Sequence, residues 1–307
     1  MKYVIKVVIH AHATLFPDTI PEYANINYRL VSSEELLEIY DKINVEEGIL
    51  LPIVDAVSQV NLLSNEQCRY ISDNSGGRLK WFCNVSPTAL DNTDDADLSY
   101  LINHYKSLGA IGVGEITSQL YADDPKMDNL FYHSAQCDMP VIIHLAPQFG
   151  GTYGIVDDIH LPRIEKMLKK HKDLKLIGHS QTFWSEISAD ITEAKRMDYP
   201  SGKVTDGTIA RLMREYGNLY CDLSAGSGAN AMMRDRDYAA RFMEEFADRI
   251  FYGCDICSLY NTFQYDFSDF LVSMVKDGYL SRENYIKIAR NNAAKMFGMT
   301  PYEEAAQ

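Results

Sequence analysis

The sequence of 307 residues predicts a single (β/α)8 barrel, or TIM barrel, that spans residues 1–307. Eight short apolar runs recur along the chain, and segments with helical spacing of apolar residues alternate with them. The runs are continuously apolar, as expected of parallel strands that are buried on both faces. No linker rich in Pro, Gly or Ser and no change of composition interrupts the series. We therefore predict one α/β domain of eight βα units.

The predicted strands follow one another at the spacing of βα units. They are residues 3–12, 48–54, 79–86, 110–116, 141–146, 174–180, 219–225 and 250–256. Between them lie amphipathic stretches such as "SSEELLEIYDKIN" and "GTIARLMREYG", several of which begin with Ser, Asp or Pro and end with Gly or Asn. The connections 13–33 and 181–207 are longer than ordinary βα loops. Because both follow strands, we expect them to form walls of a pocket at the C-terminal face of the barrel.

The charge of the chain limits its partners. Its 29 basic and 43 acidic residues give a formal net charge of -14, which argues against nucleic acid or an anionic membrane surface as a partner. Lys6 interrupts the N-terminal apolar run, and no window is long and apolar enough for a membrane span. We predict a cytoplasmic protein that acts on a small-molecule substrate, and the sequence leaves open a homo-oligomer.

The six cysteines are scattered through apolar segments and lack the density of a disulfide scaffold. Cys254 and Cys257 have the C-x-x-C spacing of redox and zinc motifs. They follow an apolar strand and have no second C-x-x-C to pair with, so we interpret all six as buried thiols.

Residues of metal-binding type occur near the C-terminal ends of the predicted strands. "IHAH" ends the first strand, and residues at i and i+2 of a strand point to the same side, so His10 and His12 would present two imidazoles to one point. Four later strands end near Glu115, His144, His179 and Asp255. Because these strand ends meet at one mouth of a barrel, the six residues predict a site for a divalent metal, with zinc favoured by the ligand types.

The other four histidines fall in predicted helices or loops. They are His104, His133, His160 and His171, and we interpret them as ordinary surface or packing residues.

These motifs resemble the amidohydrolase superfamily of metal-dependent hydrolases, and within it the amidohydrolase-related group that contains both hydrolases and decarboxylases. The resemblance covers the whole chain. It rests on the H-x-H of the first strand and on "GVGEI", "VIIHLA", "LIGHSQTFWSEI", "FYGCDI" and the closing "NYIKIARNNAAKMFGM". One departure is Val8, which stands where the group often has the Asp of D-x-H-x-H. Any supporting role of that Asp is therefore missing or supplied elsewhere.

The resemblance implies a set of ligands for one or two ions. One ion would be held by His10, His12 and Asp255. His144 and His179 would hold a second ion, or would serve as one ligand and one group that polarises a carbonyl. Glu115 would bridge two ions, as in the TatD-type deoxyribonuclease branch.

We predict that the reaction is hydrolysis, in which a metal-activated water attacks a carbonyl group (lactone, amide or ester) or a phosphoester. Asp255 would take the proton of that water and pass it to the leaving group, and His179 would polarise the substrate. Tyr153, Phe183 and Trp184 follow the fifth and sixth strands and would line the substrate pocket. The alternative for these aromatic residues is packing between loop and barrel.

Two other functions stay open. The first is a non-hydrolytic metal-dependent decarboxylase, in which Asp255 protonates a ring carbon; Glu115 weighs against it, because a bridging carboxylate suggests two metals and a hydroxide. The second is a non-catalytic barrel that binds a metabolite or a protein, which leaves six convergent ligands unexplained.

Overall fold

The structure is a computed structural model that describes residues 6–19 and 29–302. In this part of the chain, short strands alternate with helices from end to end. The strands are β1 (Lys6–Ala11), β2 (Val45–Leu50), β3 (Leu79–Trp81), β4 (Val113–Ile116), β5 (Val141–Ala146), β6 (Ile155–Val156), β7 (Leu176–His179), β8 (Leu219–Asp222) and β9 (Ile250–Phe251). All the pairs that these strands form are parallel.

The helices fill the connections between strands. They are α1 (Ser33–Lys42), α2 (Asn65–Asn74), α3 (Ser99–Ser107), α4 (Pro125–Gln136), α5 (Pro162–Lys170), α6 (Gln181–Ser185), α7 (Thr208–Glu215), α8 (Ala225–Met233), α9 (Arg236–Glu245), α10 (Phe263–Lys276), α11 (Arg282–Ile286) and α12 (Asn292–Phe297). A π-helical turn, Lys287–Asn291, joins the last two. Short 3-10 helices lie at Pro17–Thr19, Glu193–Lys195 and Ala247–Arg249. No helix among the described residues has the length and apolar character needed to cross a bilayer.

The strands form a ring of eight. Regular pairing gives a sheet in the order β1-β2-β3 and a second in the order β4-β5-β7-β8-β9, with β6 beside β5. Isolated parallel bridges join the edges of the two sheets, one between Cys83 and Val113 and one between Ala11 and Ile256. The predicted TIM barrel is thus confirmed. Each of the eight predicted strands overlaps one strand of the ring, although residues 3–5 of the first lie outside the described part of the chain.

Strand boundaries differ from the prediction where polarity or a turn intervenes. β2 begins at Val45, before the predicted 48–54. The prediction followed apolar residues, and so it left out Glu46 and Glu47, which belong to the strand. β8 and β9 are shorter than the predicted strands 219–225 and 250–256. Beyond Asp222 and Phe251 the chain leaves the ring and contributes residues to the site. The connection 181–207 contains the buried helix α6 and a 3-10 turn, and residues 20–28 of the other long connection lie outside the described residues.

The barrel interior is apolar toward the N-terminal ends of the strands and polar toward their C-terminal ends. In the apolar layer, Val7 and Ile9 pack with side chains from the other strands, including Phe82 and Phe251. Phe297 of α12 closes the N-terminal end, with its ring centroid 5.3 Å from that of Phe82. The polar site described next lies above this layer, at the C-terminal ends of the strands.

Candidate metal centre

The end of β1 supplies the first two histidines. Between Val8 and Ala11 the strand carries one residue more than its partner β2, which is a β-bulge. A bulge shifts the alternation of side chains, so the residues that follow the interior Ile9 can also face the inside of the barrel. His10 and His12 are buried, and their Nε2 atoms lie 3.1 Å apart.

The end of β4 supplies Glu115 through a second irregularity of register, between Val113 and Ile116. Gly114 has φ +131°, and a Cβ atom there would lie 2.5 Å from the carbonyl oxygen of Ile142. Only glycine fits this position. In "GVGEI", the backbone therefore requires the second glycine, and the glutamate that follows it supplies the carboxylate.

The two oxygens of Glu115 face different histidine pairs. Oε2 lies 3.7 Å from His10 Nε2 and 3.6 Å from His12 Nε2. Oε1 lies 2.7 Å from His144 Nδ1 and 3.8 Å from His179 Nε2. A carboxylate between two pairs of imidazoles is the arrangement that a bridging ligand of two cations requires.

Asp255 divides its oxygens in the same way. Oδ1 lies 3.6 Å from His10 Nε2 and 3.5 Å from His12 Nε2, and Oδ2 lies 3.7 Å from His179 Nε2. Its backbone N–H donates to the carbonyl of His10 at 2.8 Å, which fixes the end of β9 against the end of β1. Its side chain is 22% exposed, so it also reaches the space above the site.

The donor set fits a divalent cation. Ligand atoms about 2.0–2.1 Å from a tetrahedral zinc are separated from one another by roughly 3.3 Å. The distances among His10, His12, Glu115 and Asp255 given above run from 3.1 to 3.7 Å. Within each of three overlapping groups, the ligand atoms all lie within 4.8 Å of one another. The groups are His10, His12 and Glu115; His10, His179 and Asp255; and Glu115, His144 and His179.

Hydrogen bonds on the far side of the rings orient three of the histidines. His12 Nδ1–H donates to the carbonyl of Leu51 at 2.7 Å, and His10 Nδ1–H donates to Asp222 Oδ2 at 2.9 Å. His179 Nδ1 lies 3.0 Å from Ser224 Oγ and 3.2 Å from Asp222 Oδ2. Because Nδ1 is used in this way, Nε2 of each ring faces the centre.

Asp222, at the end of β8, is the functional residue that the sequence reasoning missed. It is fully buried, and Ser224 Oγ donates to its carboxylate. Gly253 leaves the room that the carboxylate occupies, since a Cβ there would collide with Asp222 Oδ1. The signal was available, because the predicted strand "LYCDLSA" carries an acidic residue about one βα unit after His179. In the D-x-H-x-H motif an Asp stands at the position of Val8. Here Asp222 supplies a carboxylate beside His10 instead.

The charges of the site favour a cation. Burial opposes protonation of His10, but Asp255, Glu115 and Asp222 raise its pKa well above the usual value. Burial opposes ionisation of Glu115, yet His144 and His10 hold its pKa well below the usual value. Asp222 is likewise kept ionised against its burial by His10 and His179, which lower its pKa. The carboxylates of Glu115, Asp222 and Asp255 thus stabilise positive charge at this point, and a divalent ion would supply that charge in place of a proton on His10.

A cleft of about 530 Å³ opens above these residues. His12, Glu115 and Asp255 form part of its floor, and its walls come from residues 58–61 and 151–153 and from Leu30 and Ile53. This volume is in the range of small-molecule sites.

Of the three predicted aromatic wall residues, only Tyr153 lines the cleft, with its ring centroid 4.5 Å from that of His144. Phe183 and Trp184 are buried in the core instead. Phe183 lies over Gly178, where a Cβ would strike its ring, and Trp184 Nε1 donates to the carbonyl of Asp222 at 2.9 Å. The packing alternative therefore describes these two residues.

None of the other four histidines or the six cysteines belongs to these ligand groups among the described residues, although Cys257 lines the cleft and Cys254 Sγ lies 3.8 Å from the carbonyl oxygen of His10. His160 and His171 lie close to Glu186 and Asp128, outside the barrel. All six cysteines are buried, and burial raises the pKa of Cys254 well above its usual value, as expected of a packed thiol.

Comparisons with known proteins agree with this architecture. The family model described as amidohydrolase matches residues 9–299. No curated protein matches the chain.

Three of the similar solved structures are enzymes of this fold. A 5-carboxyvanillate decarboxylase from Sphingomonas paucimobilis is 14% identical with a TM-score of 0.63, over 96% of this chain and 99% of that one. A putative 2-pyrone-4,6-dicarboxylic acid hydrolase from Pseudomonas putida is 13% identical with a TM-score of 0.60, over 97% and 98%. A dihydroxybenzoic acid decarboxylase from Polaromonas sp. JS666, with bound manganese, is 14% identical with a TM-score of 0.57, over 96% and 97%.

Proposed function

This chain belongs to the amidohydrolase family, and we propose that it is a metal-dependent hydrolase of a small carbonyl compound (a lactone, amide or ester) or phosphoester. The observation that carries the proposal is the position of Glu115, whose two oxygens face the pair His10 and His12 and the pair His144 and His179. This arrangement suits two cations, and paired cations are common in enzymes that use water as the nucleophile.

The residues that would hold the ions follow from the distances. His10, His12, Glu115 and Asp255 form one set, and Glu115, His144 and His179 form the other. Histidine nitrogens with carboxylate oxygens favour zinc, and manganese also accepts such ligands. When bound, the ions would lower the pKa of a water molecule and polarise the substrate.

Asp255 is placed to move the proton in this reaction. Of the two carboxylates that reach the cleft, it has the more exposed side chain, 22% against 5% for Glu115. A carboxylate at this boundary accepts the proton of the attacking water on one side and delivers it to the leaving group on the other. His179 keeps its Nε2 directed at the centre through its contacts with Ser224 and Asp222, and so orients the substrate oxygen or a ligand there.

The proposal is tested by following solvent oxygen. Protein loaded with zinc or manganese is incubated in oxygen-18 water with a panel of lactones, amides, esters and phosphoesters. We expect one solvent oxygen in the product at the attacked centre and no release of carbon dioxide. Asp255→Asn should lower kcat by about 10²- to 10⁴-fold, because general-base catalysis typically contributes that much. The control is Asp173→Asn, which alters an exposed residue just before β7, at the opposite end of the barrel.

A second candidate is decarboxylation, because two of the similar solved structures are named as decarboxylases. In that reaction Asp255 would protonate the carbon that loses the carboxyl group. Carbon dioxide released from an aromatic acid, with no solvent oxygen in the product, would replace the hydrolase proposal with this one.

A further inference from the structure

The cleft has an unusual charge pattern for a family whose named relatives act on organic acids. Among the described residues that line it there is no lysine and no arginine. Within residues 6–19 and 29–302, the cleft therefore offers a substrate no lysine or arginine side chain.

The two long connections each contain an arginine whose guanidinium is held away from the cleft. Arg29 precedes the lining residue Leu30, but its guanidinium bonds both oxygens of Glu35 at 2.6 and 3.0 Å. Arg196 is buried and donates to the carbonyl of Asp157 at 2.8 Å. Neither guanidinium can reach the cleft without breaking these contacts.

The groups that do line the cleft are neutral or negative. Ser58, Gln59, Asn61 and Thr152 provide hydroxyl and amide groups, and Leu30, Ile53, Val60 and Tyr153 provide apolar surface. The charged groups at the floor are the carboxylates of Glu115 and Asp255. A carboxylate on the substrate, away from the reacting centre, would lose hydration here without gaining a cationic partner.

We propose that the cleft selects an uncharged substrate, such as a neutral lactone, amide or ester, and discriminates against analogues that carry an additional carboxylate. This inference rests on the proposed hydrolase function and names its substrate class. It also separates this chain from a relative named for a dicarboxylic acid. Neutral hydrogen-bonding groups recognise neutral polar groups, while carboxylates are usually recognised by arginine or lysine.

The test compares matched pairs of compounds that differ by one carboxylate. One pair is dihydrocoumarin and its 6-carboxylate, and another is acetanilide and 4-acetamidobenzoate. With the metal-loaded protein we expect kcat/KM to be at least about tenfold higher for the neutral member, since an unpaired charge costs at least one charged hydrogen bond. Binding is also measured by calorimetry with the metal-loaded wild type and two non-hydrolysable ether analogues, chroman and chroman-6-carboxylate, which separates recognition from turnover while both floor carboxylates stay in place.

Gln59→Arg provides the gain-of-function arm, because it adds a guanidinium to the wall of the cleft. It should reduce the preference for the neutral member by about tenfold, whereas the neutral variant of similar length, Gln59→Met, should retain it. Thr152→Arg, at another lining residue, serves the same purpose if Gln59→Arg does not fold.

The two proposals fail in different ways. Equal or better turnover, or equal or tighter binding, of the carboxylated members would overturn the neutral-substrate inference while leaving hydrolysis supported. Tighter binding of the neutral members without any release of hydrolysis products would support the recognition inference and count against the hydrolase proposal.

Discussion

Asp222 is expected to control the metal affinity of the site although it is not itself one of the six ligands. Its carboxylate accepts from His10 at 2.9 Å and lies 3.2 Å from His179 Nδ1, so it orients one histidine of each proposed ion. Asp222→Asn preserves the shape but replaces one acceptor oxygen by an NH2 donor, which cannot accept from an imidazole. At least one of the two rings then loses its acceptor or changes its tautomer.

The expected loss of metal affinity can be estimated from other sites in which a carboxylate orients a metal-binding histidine. Loss of a carboxylate that orients a metal-binding histidine typically weakens metal binding by about 10- to 100-fold, which corresponds to about 1.4–2.7 kcal/mol. Since Asp222 contacts histidines of both ligand sets, we expect both ions to bind more weakly. The dissociation constants are measured by competition with a chromophoric chelator at fixed pH.

A matched control is Glu186→Gln. Glu186 is also fully buried and accepts from the Thr208 hydroxyl at 2.8 Å, but the described contacts do not connect it to the six ligands. Both variants should unfold at lower temperature, because each disrupts buried hydrogen bonds. Only Asp222→Asn should change the metal affinity. If the two variants bind metal alike, the role assigned to Asp222 is wrong.

Two further predictions concern the number of ions and the dependence of stability on pH. Wild-type protein loaded with excess zinc and desalted should contain well over one zinc per chain by elemental analysis, and Glu115→Gln should bring the ratio toward one; an unchanged ratio in the variant would reduce Glu115 to a structural residue. Burial raises the pKa of Asp157 to about 6, so the folded protein retains a proton that the unfolded chain releases near pH 4, and folding stability falls as the pH rises from about 4 to about 6. Urea unfolding should show a stability difference between wild type and the non-titrating Asp157→Asn that shrinks by up to about 3 kcal/mol over this range; a constant difference would refute the assignment.

The sequence could predict the ring and the clustering of the six candidate ligands, because both depend on features that recur once in each βα unit. Continuous apolar runs mark strands that are buried on both faces, and the residue types at their ends mark the mouth. The bulges in β1 and β4 could not be predicted, since register depends on the pairing partner. The prediction did not depend on them, because it used the residue types near the strand ends and not the register; the two bulged stretches themselves contain His10 and Glu115.

Loop residues were harder to predict for a physical reason. Phe183 and Trp184 follow a strand as Tyr153 does, and all three are aromatic. Whether such a ring turns toward the cleft or into the core depends on how it packs in three dimensions, here on the space that Gly178 leaves for Phe183 and on the carbonyl of Asp222 that accepts from Trp184. Residues at the strand ends determine the chemistry of the site, and the loops determine the shape of the cleft. No local sequence pattern predicts how these loops pack.

Three-dimensional surroundings also distinguish the two carboxylates that are candidates for proton transfer, Asp255 and Glu115. The six predicted ligands differ little in residue type, and type alone cannot separate Asp255 from Glu115. Their surroundings do, because the side chain of Asp255 is 22% exposed and that of Glu115 is 5% exposed. Asp255 has φ +47°, and its N–H is bonded to His10, so the backbone holds the carboxylate at the boundary between ligands and cleft. A group that must exchange protons with substrate and solvent has to reach both, and by this criterion Asp255 is the better placed of the two.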